Sequence, residues 1–111
     1  MQEFSNKRFY PRVNKSLEVT YSLDGGEEEV AIATDISASG LSIETRELIT
    51  KGTVLKLSFH LKEMNKTVIA MGEAIRCCED KDRNIAAIKF LEVPELDLIM
   101  LVDYTLANLN K

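Results

Sequence analysis

The sequence of 111 residues has no tryptophan, a single histidine and only two cysteines, and these scarcities exclude several kinds of site. Zinc requires several spaced Cys or His ligands, whereas Cys77 and Cys78 are adjacent. Adjacent side chains on a strand point to opposite faces, so we expect two reduced thiols and no disulfide between them. His60 has no clustered carboxylate or nucleophile near it in the sequence. We therefore predict neither a metal site nor an enzyme.

Long apolar runs and a basic leader are also missing. No stretch approaches the roughly 20 apolar residues that span a bilayer. Residues 1–5 do not resemble the start of an export signal, so we expect a cytoplasmic protein without membrane insertion. A chain of this length with 45% hydrophobic and 29% charged residues is expected to form one globular domain with an ordinary core.

The charge of the chain is unevenly distributed. Residues 1–15 hold four basic residues and one acidic residue, a net charge of +3, so the remaining residues must carry −7 to give the total of −4. A short cationic arm on an acidic body suits a small phosphate-bearing ligand better than a long polyanion such as DNA. A solvated basic tail is the alternative. The four basic residues are Lys7, Arg8, Arg12 and Lys15.

The body of the sequence reads as strands separated by polar turns. Apolar and polar residues alternate over 17–23 and again over 55–61, which is the period of a half-buried strand. Evenly spaced short strands without helices between them favour an antiparallel barrel. We therefore predict an all-β fold, a six-stranded antiparallel barrel, over residues 16–111, preceded by a flexible ligand-binding arm over 1–15. The other predicted strands cover 28–37, 41–45, 67–79 and 85–93.

Only the end of the chain has helical character. Pro94 suits a first helical turn, and Glu95 and Asp97 complement the helix dipole there, so a helix is predicted over 94–110. Its apolar residues are expected to form a broad stripe that packs on the open side of the barrel, although such a stripe can also bind a partner or a second copy. The stripe consists of Leu98, Ile99, Leu101, Val102, Leu106 and Leu109.

Two arginines near the start, Arg8 and Arg12, form the pattern R-x-x-x-R. Pro11 disfavours helical geometry at Tyr10, so the arginines are not expected to be neighbours on a helix. An extended or turning arm can direct two guanidinium groups at a ligand from different sides. Each group can bind phosphate through two hydrogen bonds, donate to O6 and N7 of guanine, or stack on a purine.

A second pattern, D-x-S-x-x-G, is formed by Asp35, Ser37 and Gly40 at a predicted strand end. Asp35 and Ser37 should emerge on one face while Ile36 turns into the core. The carboxylate can accept hydrogen bonds from N1 and N2 of guanine, and the hydroxyl can bind base or phosphate. Gly40 permits positive φ and leaves room for a ring. Alternatively, these are simply the residues that a strand-to-turn junction prefers.

Each pattern alone is weak evidence, but both in this order, with 22 residues between Arg12 and Asp35, are rare by chance. In these motifs the chain resembles the PilZ domain, the bacterial receptor module for cyclic di-GMP. The resemblance implies a six-stranded barrel that holds the dinucleotide between arm and barrel surface. It implies that Arg8 and Arg12 bind phosphate and guanine.

The resemblance further implies that Asp35, Ser37 and Gly40 form the turn that recognises guanine. Lys7, just before the first motif, occupies a position that in the family influences whether one ligand or a stacked pair binds, and a basic residue there favours two. The chain departs from the family pattern in having Ala87 where glycine is common, and in lacking tryptophan. These departures concern the barrel rather than the ligand motifs.

By this resemblance the chain is a cyclic di-GMP receptor or adaptor, without other cofactors, whose arm changes conformation on binding and whose signal passes to an unidentified protein partner. We expect a monomer or weak homodimer. The alternative is a PilZ-like interaction module that no longer binds nucleotide. A barrel that binds RNA or single-stranded DNA would need aromatic and basic residues interleaved on a sheet face, and the acidic body disfavours it.

Overall fold

The computed structural model describes residues 12–23 and 25–109, and in them six antiparallel strands close into a barrel followed by one helix. The predicted fold class is confirmed. Around the barrel the strands follow the order β1-β2-β3-β6-β5-β4, and pairing of β1 with β4 closes it. The strands are β1 Leu17–Leu23, β2 Glu29–Ser37, β3 Gly40–Thr45, β4 Val54–Leu61, β5 Lys66–Asp80 and β6 Arg83–Glu92, and the helix is α1 Glu95–Asn108.

Alternating apolar residues fill the barrel interior. In β4, for example, the side chains of Leu55, Leu57, Phe59 and Leu61 are all buried, whereas His60 between them is exposed, as predicted. Burial of a large aliphatic or aromatic side chain contributes about 1.5–3 kcal/mol, so this one strand supplies a substantial part of the stability. The inward phase of each strand therefore determines which residues remain available on the outer surface.

The barrel also holds part of the predicted arm. Val13 is buried and forms an isolated bridge with Ile36 of β2, in which each backbone N–H donates to the other residue's carbonyl at 3.0 Å. The side chain of Lys15 also holds the segment, through hydrogen bonds to Glu63 and Asn108. The rest of the predicted arm, residues 1–11, lies outside the described residues. Arg12 is thus held one residue away from a fixed point on the barrel.

Helix α1 lies against β2 and the short 3-10 turn Lys62–Met64, which joins β4 to β5. It begins after Pro94, which is the N-cap residue and not part of the first turn. The buried residues of α1 are Asp97, Leu101, Tyr104 and Thr105. These positions lie on one side of a helix with 3.6 residues per turn.

The predicted apolar stripe of α1 is only partly correct. Leu101 is fully buried, and Leu98 and Val102 pack against the core with part of their surface exposed. Ile99 and Leu106 are about half exposed because a 3.6-residue period places them on the side opposite Leu101. Leu109, which follows α1, is also exposed.

Gly40 has a steric role in the barrel that the sequence did not predict. It is the first residue of β3, and its φ is not positive. A Cβ atom at this position would lie 2.1 Å from the carbonyl oxygen of Ile88 on the adjacent β6. Glycine is therefore required because two backbones approach closely; the turn expected before it is present at residues 38–39, but Gly40 does not adopt the positive φ that glycine permits.

Replacing Gly40 with alanine is expected to lower the free energy of unfolding by about 3 kcal/mol, because backbone atoms of β6 must move to admit the methyl group. Gly52→Ala is a suitable control, since Gly52 has a φ of +92° but nothing within 4 Å of its added Cβ. That control should cost only about 1 kcal/mol. Urea unfolding measures the free energy of unfolding of both variants. Equal decreases in the two would show that the close approach of Gly40 to β6 has no special cost.

Candidate functional site

The two sequence motifs meet in an ion pair between Arg12 and Asp35. Nη1 of Arg12 lies 2.6 Å from Oδ1 of Asp35, although the residues are 23 positions apart in the sequence. The side chains are 45% and 21% exposed, respectively, so both charges remain in contact with solvent. An incoming anion can reach Arg12, and a hydrogen-bond donor can reach Asp35. Arg8 and Lys7, the other predicted basic ligands, lie outside the described residues.

A β-bulge turns Asp35 towards the outside of the barrel. The strand register shifts between Ala33, which faces Ile43, and Asp35, which faces Ser42. Ala33 is fully buried, so uninterrupted alternation would also have pointed Asp35 inwards. The extra residue, Thr34, reverses the phase, and Ile36 becomes the next core residue. Asp35 thus faces outwards and Ile36 lies in the core, as predicted.

A second bulge acts in the same way on β5. The register shifts between Ala74, which is buried opposite Ile88, and Arg76, which lies opposite Ala87. Ile75 is the extra residue and is exposed. Arg76 consequently projects from the outer face of the barrel, towards the same surface as Asp35.

The register places one row of residues across four adjacent strands. Asp35 pairs with Ser42, Ser42 with Ala87, and Ala87 with Arg76. Strands lie 4.7–4.9 Å apart, so the row is about 14 Å long. Charged side chains of opposite sign stand at its ends and small side chains at its centre. A flat ring can therefore lie on the middle of the row with polar groups at either edge.

The turn after β2 is fixed by internal hydrogen bonds. The Ser37 hydroxyl accepts a bond from the backbone N–H of Ser39 at 3.1 Å and lies 2.9 Å from the Ser39 hydroxyl. The N–H of Phe90 donates to the carbonyl of Ser39, which ties the turn to β6. Ser37 is only 1% exposed. Its hydroxyl thus stabilises the turn; that it also binds base or phosphate stays a prediction.

An open cleft of about 900 Å³ runs between Arg12, the turn, β5 and β6. Its volume is in the range of small-molecule sites. Its charged residues include three cations, Arg12, Arg76 and Lys89, and two anions, Asp35 and Glu92. The lining further comprises Ser37, Ala38, Ser39, Ser42, Ile75, Ala87, Ile88, Phe90, Leu91, Val93 and Leu98.

Sequence reasoning missed Arg76 and Lys89. The outward direction of Lys89 could have been predicted, because it lies between the core residue Ile88 and the partly buried Phe90 in the alternation of β6. The outward direction of Arg76 could not have been predicted, because it depends on the bulge at Ile75. The signal for such a bulge is in the strand register and not in the local sequence.

Other reactive side chains are not part of this cleft. Cys77 is half-buried and Cys78 exposed, and both are free thiols, as predicted. Burial raises the pKa of the Cys77 thiol, with a smaller contribution from Cys78, so a smaller fraction of it is ionised at neutral pH. Within 12–23 and 25–109, no group of three or more His, Cys, Asp or Glu residues is arranged to hold a metal ion. Among the described helices, none has the length and apolar character needed to cross a membrane.

Comparison with known proteins assigns the family. The family model for the PilZ domain matches residues 6–107. The chain belongs to the PilZ family. A search of curated proteins finds no match. The PilZ model thus covers both sequence motifs, all six strands and nearly all of α1.

Solved structures share the fold at low sequence identity. Bacillus subtilis MotI/DgrA, an inhibitor of motility, superposes with a TM-score of 0.83 at 21% identity, covering 100% of this chain and 54% of MotI. This PilZ chain therefore spans about half the length of that protein. The PilZ domain of Escherichia coli YcgR, solved with c-di-GMP, gives a TM-score of 0.69 at 12% identity, covering 89% of this chain and 88% of YcgR's. The K. pneumonia MrkH-c-di-GMP complex superposes with a TM-score of 0.69 at 16% identity, covering 91% of this chain and 50% of the MrkH chain.

The Arg12–Asp35 pair of this PilZ domain is expected to add only about 0.5 kcal/mol to the free energy of unfolding, because solvent screens both charges. A double-mutant cycle of Arg12→Ala and Asp35→Ala, followed by urea unfolding, measures this coupling. Arg83 and Glu44, 2.6 Å apart and similarly exposed outside the cleft, provide a matched control cycle. A coupling energy above about 2 kcal/mol would contradict the expectation and make the pair costly for a ligand to separate.

Proposed function

We propose that this PilZ domain is a receptor for cyclic di-GMP and binds it in the cleft beside Arg12 and Asp35. The observation that carries the proposal is that the two family motifs converge on one open cleft, with Nη1 of Arg12 2.6 Å from Oδ1 of Asp35. Two of the structural neighbours were solved with c-di-GMP, which supports this ligand class. A receptor needs no nucleophile, so the proposal does not require enzymatic chemistry.

The charges of the cleft suit the two parts of this ligand. Arg12, with Arg8 from the first motif, provides guanidinium groups for phosphate oxygens or for O6 and N7 of guanine. Asp35 accepts hydrogen bonds and donates none when ionised, which matches N1–H and N2–H₂ of guanine. Adenine presents a different edge, with an acceptor at N1, so Asp35 provides discrimination between purines.

Residues of β5 and β6 complete the proposed site from the opposite side. Arg76 is exposed at the far end of the row and can stack on a purine or bind phosphate. Lys89 adds a second positive charge on the same surface, opposite Gly40. A base that lies over Ser42 and Ala87 would contact small side chains only, with Arg76 and Asp35 at its edges.

Signal transfer is part of the proposal. Repulsion among Lys7, Arg8 and Arg12 opposes a closed arm until phosphates neutralise it, so ligand and arm order each other and create a surface for a protein partner. We keep the prediction of a monomer or weak homodimer in the cytoplasm. The second candidate function, a protein-interaction module without nucleotide binding, is favoured by the apolar residues exposed on α1, Leu96, Ile99 and Leu106.

Arg8→Ala and Arg12→Ala should each weaken cyclic di-GMP binding by about 1.5–3 kcal/mol, or roughly tenfold to a hundredfold, because each removes charge-assisted hydrogen bonds. Arg76→Ala should cost about 1 kcal/mol, the usual size of an exposed stacking contact. Calorimetric titration gives the affinities. Arg83→Ala, outside the cleft, is the control and should bind like the unmodified chain. Unchanged affinity in both the Arg8 and Arg12 variants would refute the site.

Asp35→Ala should reduce the preference for cyclic di-GMP over cyclic di-AMP by about tenfold, because the acceptor for guanine N1–H and N2–H₂ is lost. Titration of the variant and the unmodified chain with both dinucleotides measures the ratio, with GTP as a further control. Asp80→Ala is the matched control variant, since Asp80 is an exposed carboxylate in an ion pair elsewhere. Full discrimination by the Asp35 variant would show that the base is read by other groups.

A further inference from the structure

Lys15 joins the segment that carries Arg12 to the opposite end of the chain. Its ammonium group donates to Oε2 of Glu63 at 2.8 Å and to Oδ1 of Asn108 at 3.1 Å. Glu63 belongs to the 3-10 turn Lys62–Met64, and Asn108 is the last residue of α1. One side chain therefore connects three parts of the fold that are far apart in sequence.

The contact with α1 reaches the helix backbone. Asn108 accepts from Lys15 through its carbonyl oxygen and donates through its amide nitrogen to the carbonyl of Tyr104 at 2.8 Å. That carbonyl lies four residues before Asn108, one turn back along α1. Lys15 and Asn108 thus form a continuous link from the arm segment to the final turn of the helix.

Val13 makes this link relevant to the ligand site. It lies between Arg12 and Lys15 and is held by two backbone hydrogen bonds to Ile36. An isolated bridge fixes the position of one residue but constrains only weakly the direction of the chain on either side of it. A second attachment at Lys15 fixes that direction, and so limits where Arg12 can lie relative to Asp35.

We propose that Lys15 is a positioning residue for the ligand site, which holds Arg12 over the cleft and couples ligand binding to the last turn of α1. The inference rests on the proposed function, because the coupling is to cyclic di-GMP. Lys15 does not line the cleft and need not touch the ligand. It acts through the segment 12–15 and through Asn108.

The coupling must be reciprocal. If attachment of Lys15 to Glu63 and Asn108 favours the arrangement of Arg12 that binds ligand, bound ligand must strengthen that attachment by the same factor. The last turn of α1 should then open less often when ligand is present, and its amide hydrogens should exchange more slowly. The coupling would therefore link ligand binding to a helix with exposed apolar residues, the kind of surface to which a protein partner can bind.

The test combines calorimetry with amide hydrogen exchange, in the full chain with and without cyclic di-GMP. In the unmodified chain, ligand should slow exchange over residues 104–109 about threefold or more. Lys15→Met should abolish this slowing and weaken binding by about two- to fivefold, the range for loss of a partly exposed contact. Asn108→Ala should abolish the slowing while leaving every charge in place.

Lys66→Met is the matched control. Lys66 also anchors α1, through an ion pair of 3.2 Å with Asp97, but at the first turn and away from the arm. The Lys66→Met variant should have a less stable helix, but ligand should still slow amide exchange over residues 104–109. If Lys66→Met and Lys15→Met behave alike, Lys15 has only a structural role and the inference is overturned.

Glu63→Ala separates positioning from simple electrostatics. Removal of a negative charge should strengthen binding of an anion if long-range charge alone matters, whereas positioning predicts weaker binding because Lys15 loses a partner. Stronger binding in this variant would overturn the inference. Normal calorimetric binding without any change of exchange in α1 would overturn it too, while leaving the proposed function intact. Absence of binding by the unmodified chain would refute both.

Discussion

Closure of the barrel is the constraint on which the rest of the structure depends. Each strand pairs on both sides, so every second side chain must enter a core that is already filled by residues such as Leu57 and Ile88. Chemistry is then confined to the outer face, to the turns and to segments that lie against the barrel. Polar side chains gain access to a ligand only where the strand phase directs them outwards.

Two bulges adjust this phase at the candidate site. Thr34 and Ile75 are the extra residues, and each is followed immediately by a charged side chain on the outer face, Asp35 on β2 and Arg76 on β5. Without them the alternation that buries Ala33 and Ala74 would direct those charges into the core. Burial of an unpaired charge is costly, so the irregularities serve both stability and the site. Their common result is a polar row about 14 Å long on one surface.

The same surface is linked to the rest of the molecule through a short segment. Arg12 contacts Asp35, Val13 is bound to Ile36, and Lys15 contacts Glu63 and Asn108. Within four residues the chain thus passes from the cleft to the barrel wall and on to the helix. In the proposed function, this segment would connect the ligand to a distant surface. Exposed apolar residues on α1 lie at its far end.

The sequence by itself determined the strands, their number and the two motifs, because alternation, turn residues and motif spacing are local properties of the chain. It predicted that Asp35 and Arg12 belong to one site, and the side chains do meet. It did not reveal Arg76, the buried hydroxyl of Ser37 or the steric role of Gly40. Those depend on register, on a bulge and on the approach of β6 to β3, which are decided only when distant segments pack together.

The helix illustrates the same division. Its apolar content predicted a helix near residues 94–110, and α1 occupies 95–108. Which apolar residues it buries was not determined by local sequence, because Leu101 and Ile99 are equally suited to a core. Tertiary contacts with β2 and the 3-10 turn determine that the face with Leu101 and Tyr104 is the buried one, since only one side of a helix can contact a barrel that is already closed.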